Sequence, residues 1–396
     1  MKTGYRIIGW LLAAHLTAGA QASEWRGHIG AEMRLFTQDA AWPDQEDRQY
    51  SVYGEPEWYT SWNNRTDSLT VRPFLRVDSA DSERTHADIR ELLWLHAERD
   101  WEIRAGVSKV FWGVTESAHL VDVINQTDLV EAPDGEDKLG QPMIQGTLIR
   151  DWGILSGFIL PGFRERTFAG SDGRLRPALP VDTDDARYES GAKDRHVDLA
   201  LRWSHTLGDW DLGVAAFRGT QREPELQLAG TFSNPRLVPY YPQMTQLSLD
   251  AQATLGDWLW KVEMLGRDST EKHFASVAGF EYTRVGIMET DQDLGLLVEY
   301  QFDDRGDDSG VIGQNDLFLG ARWTFNDAEG TEILAGMTQD LDRSGDRTFA
   351  LEASARLDNH WKWFVNAWFF SADSGASPTW SVRRDDFIQL SMERYF

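Results

Sequence analysis

In "LTVRPFLRV", residues 69–77, Leu69, Val71, Pro73, Leu75 and Val77 fall on one face of an extended chain, and Thr70, Arg72, Phe74 and Arg76 fall on the other. The same period of two returns along most of the sequence. The apolar face is Val197, Leu199, Leu201 and Trp203 in one segment, Leu247, Leu249, Ala251, Ala253 and Leu255 in another, and Leu294, Leu296, Val298, Tyr300 and Phe302 in a third. Successive side chains of a strand point to opposite faces, so each segment predicts a strand with one apolar and one polar surface. A soluble sandwich shows this alternation too, and the connections must decide between the alternatives. Tight turns at 63–67, 98–100, 150–151, 207–209, 256–257, 326–330 and 358–359 each lead into a strand that ends in a longer polar loop.

Short and long connections thus alternate, as they do when tight hairpins lie at one end of a membrane barrel and long loops at the other. Trp101, Trp152, Trp210, Trp258 and Trp361 follow tight turns, where an interfacial aromatic girdle would be anchored. Counting with this parity predicts strands at 24–36, 55–63, 67–78, 86–97, 100–109, 141–150, 152–161, 195–207, 209–219, 244–255, 257–268, 272–283, 292–303, 315–326, 330–341, 347–357, 359–371 and 386–396. The predicted fold is all-β: a transmembrane antiparallel up-and-down β-barrel of about 18 strands, or 16 if the second strand, 55–63, and the turn at 284–291 are read otherwise. An even number puts both chain ends on the periplasmic side.

The first residues predict export. Lys2 and Arg6 precede an apolar run from Ile7 to Leu16, and Ala20-Gln21-Ala22 gives small residues at the spacing of a signal-peptidase site, so 1–22 reads as a cleaved signal peptide and 23–396 as the barrel. The run is too short for a membrane anchor, and no later stretch is apolar for long enough to span a bilayer as a helix. Cysteine is absent, so the exported chain must hold together without disulfides, for instance by sheet closure. The net charge of -25, about -27 once Lys2 and Arg6 leave with the signal, excludes nucleic acid as a partner, because that function needs a basic surface.

The non-lipid face predicts a charged lumen. Arg72, Arg76, Arg90, Arg104 and Arg202 gather in the early strands, and Asp250, Glu263, Glu281, Glu299, Glu332 and Glu352 in the later ones. Two readings stay open: a transverse field that orients a charged or zwitterionic solute, or charges that pair across strands and hydrate the lumen. The acidic loops 181–185 and 303–310 lack EF-hand spacing and read as solvated loops, so no metal site and no cofactor is predicted. Ser117, His119 and Asp122, like Ser204 and His205, are close in sequence only, and there is no H-E-x-x-H, G-x-S-x-G or phosphate loop. No catalytic residue is assigned.

One segment breaks the alternation. Residues 111–140, beginning "FWGVTESAHLVDVINQTDLVE", are too long for a hairpin, and Val114, Leu120, Val121, Val123, Ile124, Leu129 and Val130 are too many for a loop in water. The segment is predicted to fold into the barrel mouth as a constriction or plug loop, its apolar side on the wall; packing on neighbouring external loops is the alternative. Asp122 and Asn125 suit side-chain caps of a short helical or turn segment, and Trp112-Gly113 suits a sharp exit from a strand.

Two resemblances sharpen these expectations. "FIQLSMERYF", with its alternation and terminal Phe396, resembles the closing strand of Gram-negative outer-membrane barrels, which implies contact with the barrel insertion machinery, membrane lipid and lipopolysaccharide. Arg394 departs from that pattern, on a face where the family places a hydrophobe. Gly106, Trp112, Gly113, Asp122, Asn125, Asp128 and Leu129 resemble the W-G … D-x-x-N-x-x-D-L motif of an uncharacterised family of proteobacterial porin-like barrels, and Leu160, Pro161, Phe163 and Arg164 its proline-bearing segment. Gln126 stands where that family usually has proline. Members often accompany export or uptake systems for hydrophobic or polymeric compounds. The expectation is therefore a channel for small polar or charged solutes, lined by Arg72, Arg76, Arg90, Arg104, Arg202, Glu263 and Glu299 and narrowed by Trp112, Asp122, Asn125 and Asp128. An export or uptake component with a periplasmic partner and a barrel hydrolase are the alternatives.

Overall fold

The computed structural model describes residues 22–306 and 311–396. Its strands are β1 (Ala22–Phe36), β2 (Arg48–Trp62), β3 (Asp67–Asp78), β4 (His86–Ala97), β5 (Trp101–Ser108), β6 (Gln141–Arg150), β7 (Gly153–Pro161), β8 (Arg187–Tyr188), β9 (Val197–Leu207), β10 (Trp210–Thr220), β11 (Glu225–Thr231), β12 (Asn234–Tyr241), β13 (Gln243–Leu255), β14 (Trp258–Asp268), β15 (Lys272–Arg284), β16 (Asp293–Asp303), β17 (Asn315–Thr324), β18 (Glu332–Asp340), β19 (Arg347–Arg356), β20 (Trp361–Ser371) and β21 (Phe387–Tyr395). Eighteen of them pair antiparallel with their neighbours, and β1 pairs with both β2 and β21, closing a transmembrane barrel. Closure leaves no strand edge unpaired, which lipid demands because it offers no hydrogen bonds.

Every predicted barrel strand is present. The second starts earlier than predicted, at Arg48, because Tyr50 to Gly54 pair with β1 on one side and, from Ser51, with β3 on the other. Three strands were not predicted: β11 and β12 form a hairpin in the connection after β10, and β12 takes β8 as a parallel third strand. The turn rule has exceptions at both ends, for the β14–β15 connection is only 269–271 on the long-loop side, and the β15–β16 connection runs over 285–292 on the tight-turn side. The signal-peptide reading falls almost wholly outside the described residues, as does part of the acidic loop 303–310. The other acidic loop is less free than predicted, since Asp182 and Asp185 pair with Arg236 of β12.

The faces follow from the alternation. On β3, Leu75 and Val77 are exposed on the outside while Phe74 and Arg76 are buried on the inside. A bulge interrupts the β3–β4 ladder: Arg72 faces Glu91 and Pro73 faces Ile89, so Arg90 has no opposite residue. Proline is tolerated there because it lacks a ladder donor, and the bulge lets Arg90 and Glu91 both reach inward. Trp101, Trp152, Trp210, Trp258 and Trp361 are all solvent-exposed beside the tight turns, and Arg394, also exposed, lies opposite Trp361 at the same end. That position lets the arginine reach the interface.

Close pairing explains a glycine. Gly106 of β5 has φ +133°, and a Cβ there would stand 2.0 Å from the Leu92 carbonyl oxygen of β4. Gly146 of β6 has nothing within 4 Å. G106A should therefore lower stability by roughly 2 kcal/mol, and G146A by less than about 0.5 kcal/mol, in urea unfolding of the refolded barrel followed by tryptophan fluorescence. Equal midpoints for the two variants would contradict this account.

Candidate functional site

The connection between β5 and β6, residues 109–140, contains no helix and no strand beyond one bridge between Thr127 and Lys138. It touches the wall on opposite sides, at Arg76 of β3 and at Glu263 of β14 and Glu299 of β16, so it crosses the lumen. Its apolar side is dry. Trp112, Val121, Val123 and Ile124 pack against Met143, Phe158, Leu160, Ala200, Ala215, Phe217 and Met244, inward residues of β6, β7, β9, β10 and β13. Trp112 meets Phe158 edge to face at 5.6 Å, and the Arg202 guanidinium lies over its ring at 5.1 Å.

A buried backbone without a ladder needs other partners for its amides. Glu263, fully buried, accepts hydrogen bonds from the backbone N–H of Val114 (2.7 Å), Thr115 (3.1 Å) and Val121 (3.1 Å) and from the Thr115 hydroxyl (2.8 Å). Gly113 makes room for it, since a Cβ there would fall 2.8 Å from Glu263 Oε1. Glu299 accepts from the N–H of Glu116 (2.8 Å) and Ser117 (2.7 Å) and from the Ser117 hydroxyl (2.6 Å). The motif residues do the same from within. Asn125 Oδ1 accepts from Val110 N–H (2.8 Å), and its Nδ2 donates to the Ser108 and Leu139 carbonyls (2.9 Å each). Asp122 accepts from Trp112 N–H (3.3 Å) and pairs with Lys138 (3.2 Å). Asp128 binds Arg90 (2.6 Å) and the Thr167 hydroxyl (2.8 Å). Asn125 and Asp122 therefore join both ends of the loop and cap no helix.

This revises the predicted pore lining. Arg76, Arg90, Glu263 and Glu299 do face inward, but they are buried beneath the loop. Arg76 binds Glu32 (3.1 Å) and Glu131 (2.6 Å), in a cluster completed by Arg34 and Arg84. Burial pushes the Glu131 carboxyl up, yet His86, Arg76 and Arg84 hold it well below the usual carboxylate range. Arg72 binds Glu57, Arg104 binds Glu102 at 3.1 Å, and Arg202 grips Asp250 through both nitrogens at 2.6 and 2.8 Å. His86, Asp128 and Glu131 lie close enough to hold a metal ion, but arginines already occupy both carboxylates.

The second long connection, between β7 and β9, was not recognised as part of the site. Its Thr167 binds Asp128 and its Arg164 the Gly140 carbonyl (2.9 Å), so it packs on the first loop, while Arg164 also binds Asp88 of β4 (2.6 Å) and Arg174 binds Asp385 (2.6 Å).

An opening lies along the opposite wall. A cavity of about 870 Å³ runs between the loop tip, Glu116 to His119 and Pro133 to Lys138, and β17 to β20. Its charged lining is Glu116, Asp134, Glu136, Asp316, Glu332, Asp340, Asp346 and Glu352 against Lys138, Arg176, Arg322 and Arg347, so carboxylates outnumber cations two to one. Arg322 bridges loop and wall through Glu116 (2.9 Å) and Glu332 (2.8 Å). Of the wall residues read as inward-facing from sequence, Glu332 and Glu352 border this opening, while the arginines of the early strands do not.

No protein-family model and no curated protein sequence matches the chain. Solved structures do resemble it: Pseudomonas aeruginosa OccK11 (OpdR), with a TM-score of 0.52 and 10% identity over 95% of each chain, and P. aeruginosa OpdQ, with a TM-score of 0.52 and 11% identity over 95% of this chain and 97% of that one. At such identity the likeness speaks for the fold.

Glu263→Ala strands three amides at once, while the Thr115 hydroxyl keeps the Ala118 carbonyl, and should cost about 3 kcal/mol and open the loop to protease, with Glu299→Ala weaker. Limited proteolysis of the refolded barrel reads this directly, and wild-type resistance in both variants would contradict it. His119, whose Nε2 lies 3.5 Å from Glu136, gives a pH signature: burial lowers its pKa, but Glu136, Glu263 and Asp122 raise it by more. Its contribution is full below the ordinary histidine value near 6.5 and fades as pH rises through the raised one. The stability difference between wild type and H119Q, under about 1 kcal/mol, should therefore shrink from pH 6 to pH 8.

Proposed function

We propose that this chain is a channel of the Gram-negative outer membrane that passes small polar or charged solutes, with residues 109–140 as its constriction. The observation that carries the reading is the asymmetric lumen: one half is sealed by a loop fixed to the wall, and the other keeps an opening of about 870 Å³ bordered by β17 to β20. A solute-sized opening lined by acidic and basic side chains inside a closed barrel is what selective passage needs. The barrel fold, the aromatic girdle and the alternating C-terminal strand support the membrane assignment.

The motif residues support kinship with the uncharacterised porin-like family, because Trp112, Asp122, Asn125 and Asp128 are those that fasten the loop. The hydrolase alternative has no such support. Ser117 donates its hydroxyl to Glu299, His119 Nε2 faces Glu136, and Asp122 pairs with Lys138, so the three side chains serve separate contacts.

The excess of carboxylates predicts a preference for cations. In planar bilayers the refolded chain should conduct, with a reversal potential in a KCl gradient on the potassium side. E332Q/E352Q should lower the potassium-to-chloride permeability ratio roughly twofold, since both residues border the opening. A variant lacking 111–137 should conduct more than the full chain. Silence from the full chain, or selectivity for chloride, would sink the respective half of this reading.

A further inference from the structure

Beside the acidic opening lies a second cavity of about 310 Å³ with the opposite character. Separate elements bring cationic side chains to it: Arg166 from the connection after β7, Arg222 from the one after β10, Arg267 from the end of β14 and Arg305 from just past β16. Cations gathered in a protein interior are ordinarily matched by carboxylates. Two of these are, for Arg222 binds Asp198 at 2.6 Å and Arg305 binds Asp303 at 2.7 Å.

Arg166 and Arg267 are not. Among the described residues neither has a carboxylate within ion-pair distance, although Glu223 also lines the cavity. The side-chain bonds they make use Nε alone, Arg166 to Gln126 Oε1 at 3.4 Å and Arg267 to Gln246 Oε1 at 3.0 Å. Among the described residues the Nη atoms, which together form the fork that grips a planar oxyanion, have no side-chain or backbone acceptor. Arg166 is held in place, since its backbone N–H donates to the hydroxyl of the fully buried Tyr241 at 3.0 Å. His273 of β15 lines the same cavity, is buried, and has an Nδ1 with no hydrogen-bond partner.

The two cavities share a rim made by Ala118, His119 and Lys138 of the loop and Gln301 of β16. A simple anion suited to the basic side is repelled by the carboxylates of the acidic side, and a simple cation gains nothing from the arginines. A small molecule with both charges matches both. We propose that the basic pocket binds the carboxylate of a small zwitterionic solute whose cationic end lies in the adjoining acidic cavity. Passage of that solute rests on the channel reading above, whereas its binding does not.

The test is calorimetric titration of the refolded full chain in detergent, at low ionic strength, with γ-aminobutyrate, butyrate and butylammonium. γ-Aminobutyrate should bind about tenfold more tightly than either singly charged relative, the margin of one charge-assisted contact. R166Q and R267Q should each bring γ-aminobutyrate down to the level of butylammonium. Arg166 lies outside the barrel strands, so R166Q keeps the test valid even if R267Q does not refold. Butylammonium or butyrate binding as tightly as γ-aminobutyrate would overturn the proposal, as would no binding by a chain that conducts KCl. A chain that binds γ-aminobutyrate but is silent in a bilayer would retain the pocket and dismiss the channel.

Discussion

The structure depends on how an irregular backbone is kept inside a barrel. Residues 109–140 form neither helix nor ladder, so their peptide groups must find side chains. The wall supplies them with a division of labour. Carboxylates of the later strands, Glu263 and Glu299, take the loop's N–H groups. Arginines of the early strands and of the other connections take its carbonyls: Arg84 holds Val130 O at 2.9 Å, Arg90 holds Lys138 O at 3.0 Å, Arg222 holds Ile124 O at 3.0 Å, and Arg34 holds Glu131 O. Burying a charge is costly, and several hydrogen bonds to each group offset that cost.

This fastening sets the shape of the lumen. The apolar side of the loop needs an apolar wall, which β6, β7, β9, β10 and β13 provide on their inner faces with Met143, Phe158, Leu160, Ala215, Phe217 and Met244. That half of the barrel is therefore filled. The larger of the two lumenal cavities described above lies along β17 to β20, and there the loop contributes its tip with Glu116 and Glu136. An acidic opening follows from which side of the loop is left over once the apolar side has found its seat.

Much of the fold was legible, and the reason is local. Period-two alternation is written within each strand, and turn length alternates between the two ends, so all eighteen barrel strands could be placed from the sequence. The hairpin of β11 and β12 was missed because "NPRLVPYY" carries two prolines and reads as loop, and because it pairs outside the main sheet. The site was legible in part. Alternation pointed Glu263, Glu299, Arg76 and Arg90 inward, and the motif marked Asp122, Asn125 and Asp128, but no local signal joined the two sets. Those contacts span from 38 to 183 positions in the chain and exist only after the barrel closes. Arg166 was missed for the same reason, since its neighbours Tyr241 and Arg267 come from distant elements.

Gln126 shows what a buried side-chain amide accomplishes where a proline would also suit a turn. A proline there would fix φ and offer no side-chain hydrogen bonds. The glutamine is buried, accepts from Thr127 N–H at 3.0 Å and from Arg166 Nε at 3.4 Å, and donates to the Arg164 carbonyl at 3.2 Å. It therefore tightens the loop locally and also binds it to the second connection, which carries the arginine of the basic pocket. With proline, the Arg164 carbonyl and Arg166 Nε would both lose their partner, while Thr167 with Asp128, Arg164 with Gly140 and Arg222 with the Ile124 carbonyl would still tie the loop to its neighbours. Glutamine here makes a polar link between the two inserted segments, so the position of Arg166 depends on the seating of the loop.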